Sequence, residues 1–315
     1  MNTADLIWLN GEFVAWEDAK VHVLTHALHY GTGVFEGIRA YETPNGTAIF
    51  RNQDHLERLE KSAKLYYMDV PYTGQQLREV THELIVRNGF KSCYIRPLVW
   101  RGYGPMGLNP LDNPVEAMIA VWEWGAYLGE EGKRNGVRAR TSSYRRISSE
   151  SLIPHSKASG QYLNSVLAKI ESVKAGYEEG ILLDDKGYVC EGTGENIFVI
   201  KDGVIYEPEL TSALTGITRS SVIDLAEGLG YKVKSKRLTR DDIYIADECF
   251  FTGTAAEVTP IRELDQRQIG AGKAGPITKA VQKAFFDVVT GKDRKHKHWL
   301  TPVPMKKPSK GKTPS

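Results

Sequence analysis

Residues 155–165 read HSKASGQYLNS and, after a helix-length interval, residues 190–198 read CEGTGENIF. Lys157 in the first stretch and Glu191 in the second decide how the chain is read. A lysine that condenses with an aldehyde needs a nearby acid to manage the electronics of the resulting imine. Pyridoxal phosphate chemistry asks for that pair, a Schiff-base lysine and a carboxylate against the pyridine nitrogen. Most lysines are solvated surface charges, so the reading depends on what surrounds these two.

Beyond Lys157 the residues Leu163, Val166, Leu167, Ile170 and Val173 fall on one stripe, which predicts a helix with an apolar packed face. Asp184-Asp185-Lys186-Gly187 and Asp202-Gly203 mark hairpin turns. A helix is predicted from about Thr218, carrying Val222, Leu225, Ala226 and Leu229 and stopping at Gly230; the last begins at Pro276 and ends at Gly291. The run Leu214-Thr215-Gly216-Ile217-Thr218-Arg219 sits where a helix begins, so its backbone N–H groups and the positive end of the macrodipole can meet an anion. An ordinary glycine turn with an N-cap is the plainer reading of that run alone. Residues 250–256, FFTGTAA, leave a strand with small residues whose backbone can approach a ligand.

Towards the N-terminus, Leu6–Leu9 and Phe13–Trp16 flank an Asn10-Gly11 turn, a strong hairpin signal. Leu56, Leu59, Ala63 and Tyr66 predict a helix with Asp54 as its N-cap. Arg58 lies beside the apolar stripe; snorkelling is its default role, but its fork also suits a phosphate, and the neighbouring motifs favour the phosphate. A second helix starts at Thr73, with Gln76 completing a capping box. Strands follow at 93–100 and 115–122, and Pro97 predicts that the first is an edge or is bulged. Glycines and charges between Gly125 and Gly136 break the pattern. The expected organisation is a small α/β domain over 1–123, a linker over 124–136, a large domain over 137–291 and a mobile basic tail over 292–315. His22, His26 and His29 are read as structural rather than metal-binding, because no carboxylate stands in the H-E-x-x-H place. Gly31, Gly33 and Gly37 have the wrong spacing for a dinucleotide loop.

Composition fits an ordinary soluble enzyme: 315 residues, 41% hydrophobic and 25% charged. Lys+Arg 41 against Asp+Glu 39 leaves no bulk field to favour nucleic acid or an anionic membrane. No apolar run is long enough for a membrane span, and the N-terminal segment carries acids where a signal peptide carries bases. Cys93, Cys190 and Cys249 share no C-x-x-C spacing and read as buried thiols of a cytoplasmic protein.

The two opening stretches resemble the lysine and glutamate segments of class IV aminotransferases. The runs THALHYGTGVFEGIRAY (25–41), FRNQDHLERLEKSAK (50–64), YIRPL (94–98), WGAYLG (124–129), LTGITR (214–219) and FTGTAAEVTP (251–260) are similar to branched-chain amino acid aminotransferases, in order and spacing, over roughly residues 6–290. The resemblance implies an α/β (α+β) fold of the fold-type IV class, a cytoplasmic homodimer or higher homo-oligomer, and transfer of the amino group of L-leucine, L-isoleucine or L-valine to 2-oxoglutarate in branched-chain amino acid biosynthesis. Within the fold the rival activities are D-amino acid transaminase and aminodeoxychorismate lyase, against which Tyr94 and Arg96 speak. A rival of another class is a pyridoxal phosphate carrier without turnover, against which Glu191 and Tyr162 speak.

Carried over by position, the resemblance makes Lys157 the Schiff-base lysine and proton shuttle, Glu191 the partner of the pyridine nitrogen and Tyr162 the partner of the phenolic oxygen. Arg58, Gly216, the N–H groups of Ile217 and Thr218, Gly253 and Thr254 would bind the phosphate end, with Leu214 packed on the ring. Thr254 and Ala255 would receive the substrate carboxylate. Tyr94 and Arg96 would orient an acidic side chain against a wall of Phe35, Trp124 and Tyr127. Tyr30 of the partner subunit and its loop at 106–109 would complete the pocket. Gly104-Pro105 is more constrained than the resemblance leads one to expect.

Overall fold

The computed structural model describes residues 4–125 and 127–304. The chain runs β1 (Leu6–Leu9), β2 (Glu12–Ala15), α1 (His26–Tyr30), β3 (Gly33–Phe35), β4 (Ile38–Thr43), β5 (Gly46–Phe50), α2 (Asn52–Leu65), α3 (Gly74–Arg87), β6 (Cys93–Arg101) and β7 (Val115–Trp122). It continues through α4 (Gly129–Asn135), β8 (Val137–Arg145), α5 (Tyr162–Lys174), β9 (Glu179–Leu183), β10 (Val189–Gly192), β11 (Asn196–Lys201), β12 (Val204–Pro208) and α6 (Ile217–Gly228). The last elements are β13 (Lys232–Lys236), α7 (Arg240–Tyr244), β14 (Glu248–Gly253), β15 (Glu257–Leu264), β16 (Arg267–Gln268), α8 (Pro276–Val289) and β17 (Leu300–Pro302). This is an α/β fold with two sheets.

The first sheet is ordered β17-β5-β4-β6-β7-β1-β2, with β3 alongside β6. Its β1–β2 hairpin turns at Asn10 (φ 48°) and Gly11 (φ 100°), the paired positive angles that the Asn-Gly signal predicts. Leu56, Leu59 and Ala63 of α2 and Leu77, Leu84 and Ile85 of α3 are buried in one cluster with Ile38, Ile95, Val99 and Ile119 of the strands. The predicted capping box is present: Thr73 Oγ1 accepts from the Gln76 N–H at 3.2 Å, and the Thr73 N–H donates to Gln76 Oε1 at 2.8 Å. The second sheet is mixed, ordered β10-β9-β8-β15-β14-β11-β12-β13 with β16 on β15.

Five expectations are corrected. Pro97 lies in the centre of the sheet: β6 pairs with β7 along its length, and Pro97 stands opposite Ile119. Its carbonyl accepts from the Glu36 N–H at 2.9 Å, so the side that lacks a donor faces the gap between β3 and β4, where no strand asks for one. The helix expected to be capped by Asp54 begins three residues earlier, at Asn52, with Arg51 in the N-cap position. Asp54 is instead engaged by Arg51, whose Nε and Nη2 reach its two oxygens at 2.7 and 2.8 Å. The 124–136 segment contains α4. The expected tail is partly folded: β17 pairs with β5, and Trp299 is buried against Phe50 and Phe285. Residues 305–315 of that tail lie outside the described residues.

The fifth correction concerns α5, whose apolar stripe points outward. Leu163, Val166, Leu167, Ile170 and Val173 are 45–68% exposed. Ser165, Ala168 and Ser172 pack inward instead, small side chains that let the helix lie close on its strands.

Candidate active site

One cavity draws its lining from both sheets and the segments between them. Alternation along β6 puts Tyr94 and Arg96 on the same face. Their neighbours are aromatic: the Tyr94 ring lies 4.6 Å edge-on to Trp124, and Trp124 lies 5.8 Å from Tyr127. The Arg96 guanidinium stands 4.6 Å over the Phe35 ring, with Nη2 3.4 Å from the Tyr94 hydroxyl. Its Nε is buried with no acceptor among the described residues. Gly37 is required here, since a Cβ would meet the Tyr94 hydroxyl at 1.9 Å.

Lys157 closes the loop between β8 and α5. Its backbone is held by two bonds, from its own N–H to Ser62 Oγ at 3.1 Å and from the Phe35 N–H to its carbonyl at 3.0 Å. Its Nζ donates to the Tyr162 hydroxyl at 2.8 Å and sits 5.2 Å from the Phe35 ring centre. Across the cavity, Glu191 is buried on β10. Its Oε1 forms an ion pair with Arg146 Nε at 2.6 Å, and its Oε2 accepts from the Leu214 N–H at 3.1 Å. Burial pushes the Glu191 carboxyl up, and Arg146, the Leu214 N–H and Lys157 oppose that rise.

Arg58, on α2, is aimed by a buried carboxylate. Its Nε and Nη2 donate to Glu36 at 2.6 and 2.9 Å, and its Nη1 donates to the Thr215 carbonyl at 2.9 Å. A guanidinium has five donors, so one N–H on each terminal nitrogen is left over. Burial would raise the Glu36 carboxyl, but Arg58 and His55, whose Nδ1 is 2.7 Å away, outweigh it and hold the group well below the usual carboxylate range. The N-terminus of α6 opens onto the same cavity. Gly216 takes the N-cap position without any side-chain cap, so the first N–H groups of the helix stay available. A Cβ there would lie 2.0 Å from Asn196 Oδ1, and Asn196 Nδ2 in turn donates to the Leu214 carbonyl at 2.9 Å. Opposite, Thr254-Ala255-Ala256 form the turn from β14 to β15.

Every site residue expected from the sequence lines this cavity except those expected to serve the partner subunit, Tyr30, which is exposed on α1, and the 106–109 loop, where Met106 and Leu108 are exposed. The 106–109 loop is held by His26, whose Nε2 donates to the Gly107 carbonyl at 2.8 Å while Nδ1 meets Thr32 Oγ1 at 2.8 Å. Arg146, Glu36 and His55 have no role in the sequence reading. Glu36 carries a signal there, an acid set between Phe35 and Gly37 in a strand-like run. Arg146 carries none, since it lies in a polar loop far in sequence from Glu191.

This geometry is matched by known proteins. The model of the family described as amino-transferase class IV matches residues 33–264. A branched-chain-amino-acid aminotransferase of Pseudomonas aeruginosa is 53% identical over 306 residues, covering 96% of this chain and 100% of the relative. Among solved structures, the branched-chain amino acid aminotransferase of T.th. with pyridoxamine 5'-phosphate superposes with a TM-score of 0.94 at 52% identity, covering 96% of this chain and 100% of that one. The same enzyme complexed with N-(5'-phosphopyridoxyl)-L-glutamate gives 0.92 at 50% identity, with the same coverage. Likeness of this extent, spanning both sheets and the cavity they enclose, assigns the chain to the class IV aminotransferases.

Proposed function

We infer that this chain is a branched-chain amino acid aminotransferase, moving the amino group of L-leucine, L-isoleucine or L-valine to 2-oxoglutarate with pyridoxal phosphate. The carrying observation is Arg96, a cation set in an aromatic wall whose buried Nε has no partner among the described residues. Such a pocket offers apolar area to an aliphatic side chain and a charge to the γ-carboxylate of glutamate, which would otherwise be buried unpaired.

The residues fit the cofactor. An uncapped helix N-terminus and the spare N–H pair of Arg58 suit a phosphate dianion. The cofactor, when bound, supplies an electron-withdrawing ring beside the substrate's Cα. In this reading Arg58, Gly216, Ile217, Thr218, Gly253 and Thr254 bind the phosphate end, and Leu214 packs on the ring. Glu191 pairs with the ring nitrogen, Tyr162 with the phenolic oxygen, and Lys157 Nζ holds the cofactor and then moves the Cα proton. The N–H groups of Thr254 and Ala255 take the substrate carboxylate. Phe35, Trp124 and Tyr127 keep water from the side chain, and Tyr94 and Arg96 orient an acidic one.

The test is a pair of half-reactions followed by cofactor absorbance. L-leucine and L-glutamate should both convert the enzyme; a preference for D-alanine or D-glutamate would move it to the D-amino acid branch. Arg96→Leu should raise KM for glutamate and 2-oxoglutarate about 10–100-fold, the scale of one charge-assisted hydrogen bond. Leucine should change far less; equal losses for both substrates would make Arg96 structural.

The exposed stripe of α5 supports a homodimer or larger homo-oligomer. Five large apolar side chains that are 45–68% exposed each forgo about half of the roughly 1.5–3 kcal/mol of full burial, which a covering subunit recovers. Exposed Tyr30, Met106 and Leu108 extend the same argument to the partner's pocket. Sedimentation should show a dimer or multiple of it, and a fully active monomer at assay concentration would rule this out. The two domains would be residues 1–123, joined by the returning β17, and 137–291, with 124–136 between them. Three buried thiols that form no disulfide support a cytoplasmic location. Among the described residues no helix is long and apolar enough to cross a membrane.

A further inference from the structure

Glu257 stands at the first position of β15, immediately after the Thr254–Ala256 turn, with a φ of 55° that a side chain rarely adopts. Its carboxylate is buried and reached by three groups from outside its own sheet: Tyr41 Oη at 3.0 Å, Arg39 Nη1 at 3.3 Å and Lys133 Nζ at 2.5 Å. Tyr41 and Arg39 belong to β4 of the first sheet, and Lys133 to α4. A backbone held in that conformation persists only where its surroundings over-determine it, as these do.

Arg39 does more than neutralise the acid. Its Nη2 donates to the carbonyl of Trp124 and, at 2.8 Å, to that of Gly125, while Nη1 faces Glu257. One buried guanidinium thus spans the start of the aromatic wall and the base of the turn that closes the far side of the cavity. A planar fork can serve carbonyls and a carboxylate at once, at fixed separation; an ammonium cannot. The two surfaces it joins are those that meet opposite ends of an amino acid in the proposed function, on which this inference rests.

We propose that Arg39 and Glu257 are a positioning pair that sets the spacing between the carboxylate-binding turn at Thr254-Ala255 and the aromatic wall at Trp124, and so governs how firmly amino-acid substrates are held. Neither residue lines the cavity; both act through groups that do. A spacing error affects every substrate that bridges the two surfaces, whatever its side chain, and leaves the phosphate end of the cofactor to Arg58 and α6.

Arg39→Lys and Glu257→Gln should each raise KM for L-leucine and L-glutamate together, by about 10–100-fold, the scale of one lost charge-assisted hydrogen bond to the substrate carboxylate. Saturated kcat should stay within about threefold, and the Kd for pyridoxal phosphate, titrated into apoenzyme, should be unchanged. Binding of 4-methylvaleric acid, a leucine-shaped carboxylate that cannot turn over, should weaken in parallel, as read from cofactor absorbance. The double variant should be little worse than either single one, because one connection is broken twice. Lys133→Met is the control for mere stability: it should lower the melting temperature and leave both KM values nearly as they were. Cofactor release in step with the KM change, or an equal KM rise in Lys133→Met, would overturn the pair's role. So would a rise for leucine alone. Should Glu257→Gln not accumulate as folded protein, Arg39→Lys carries the same expectations. Wild-type enzyme that fails to convert leucine would instead sink the proposed function.

Discussion

Lys157→Ala is expected to lose turnover almost completely while the folded protein still takes up pyridoxal phosphate. The proposed phosphate grip lies elsewhere, on Arg58 and the α6 N-terminus, so affinity should survive where chemistry does not. The proton transfer assigned to Nζ is alone worth about 10²–10⁴-fold, and the lost covalent attachment adds to that. Lys157 is suited to both tasks by its setting: both sides of its backbone are hydrogen-bonded, and Nζ has the Tyr162 hydroxyl 2.8 Å away as its partner. Wild type should show the absorbance band of the lysine-linked cofactor near the visible–ultraviolet boundary, and Lys157→Ala should show in its place the shifted band of the unlinked aldehyde. Borohydride reduction followed by peptide mapping should label Lys157, and a label on any other lysine would refute the assignment.

Glu191→Gln should slow saturated turnover by roughly 10²–10³-fold, the scale of one preorganised electrostatic contact removed from a desolvated site. The wild-type carboxylate is engaged on both oxygens, by the Arg146 ion pair on one and by the Leu214 N–H on the other. A glutamine can accept on only one side and must turn its NH₂ towards a donor on the other. The charge assigned to the ring nitrogen disappears with little change of shape. Arg58→Ala should behave in the opposite way, weakening cofactor retention about 10–100-fold, as for loss of a charged hydrogen bond, while saturated enzyme stays closer to normal. If both substitutions altered cofactor affinity alone, the division of labour between the two ends of the cavity would be wrong.

Local signals in the sequence carry over well into structure. The Asn10-Gly11 turn, the Thr73–Gln76 box and the helix start at Gly216 are settled by residues within four positions of each other, so their outcome depends little on the rest of the chain. Lys157 and Tyr162 are legible through the resemblance carried by residues 155–165, and the structure brings Nζ and the hydroxyl to 2.8 Å. Pro97 misleads because the rule about proline in a sheet concerns the neighbouring strand, whose break at Glu36-Gly37 cannot be seen from β6. The α5 stripe misleads because periodicity reports which face avoids water, not whether its cover comes from the same chain. Arg146 stays invisible because an ion pair across 45 positions of sequence leaves no trace in either segment.

The return of the chain to its first sheet has a consequence for biosynthesis. The β5 edge is completed by β17, and the Arg51 N–H that precedes α2 bonds to the Trp299 carbonyl at 2.7 Å, with the guanidinium 5.1 Å over the Trp299 ring. The helix that carries Arg58 is therefore anchored by residues the ribosome adds some 250 positions later. An N-terminal half emerging first has most of its core, Ala158 and Val303 joining later, but an open strand edge, and the contact that closes it is among the most distant between described residues, the kind that forms slowly. In the proposed function, the setting of Arg58 would then be completed only once Trp299 docks against Arg51, which would make cofactor capture a post-translational event.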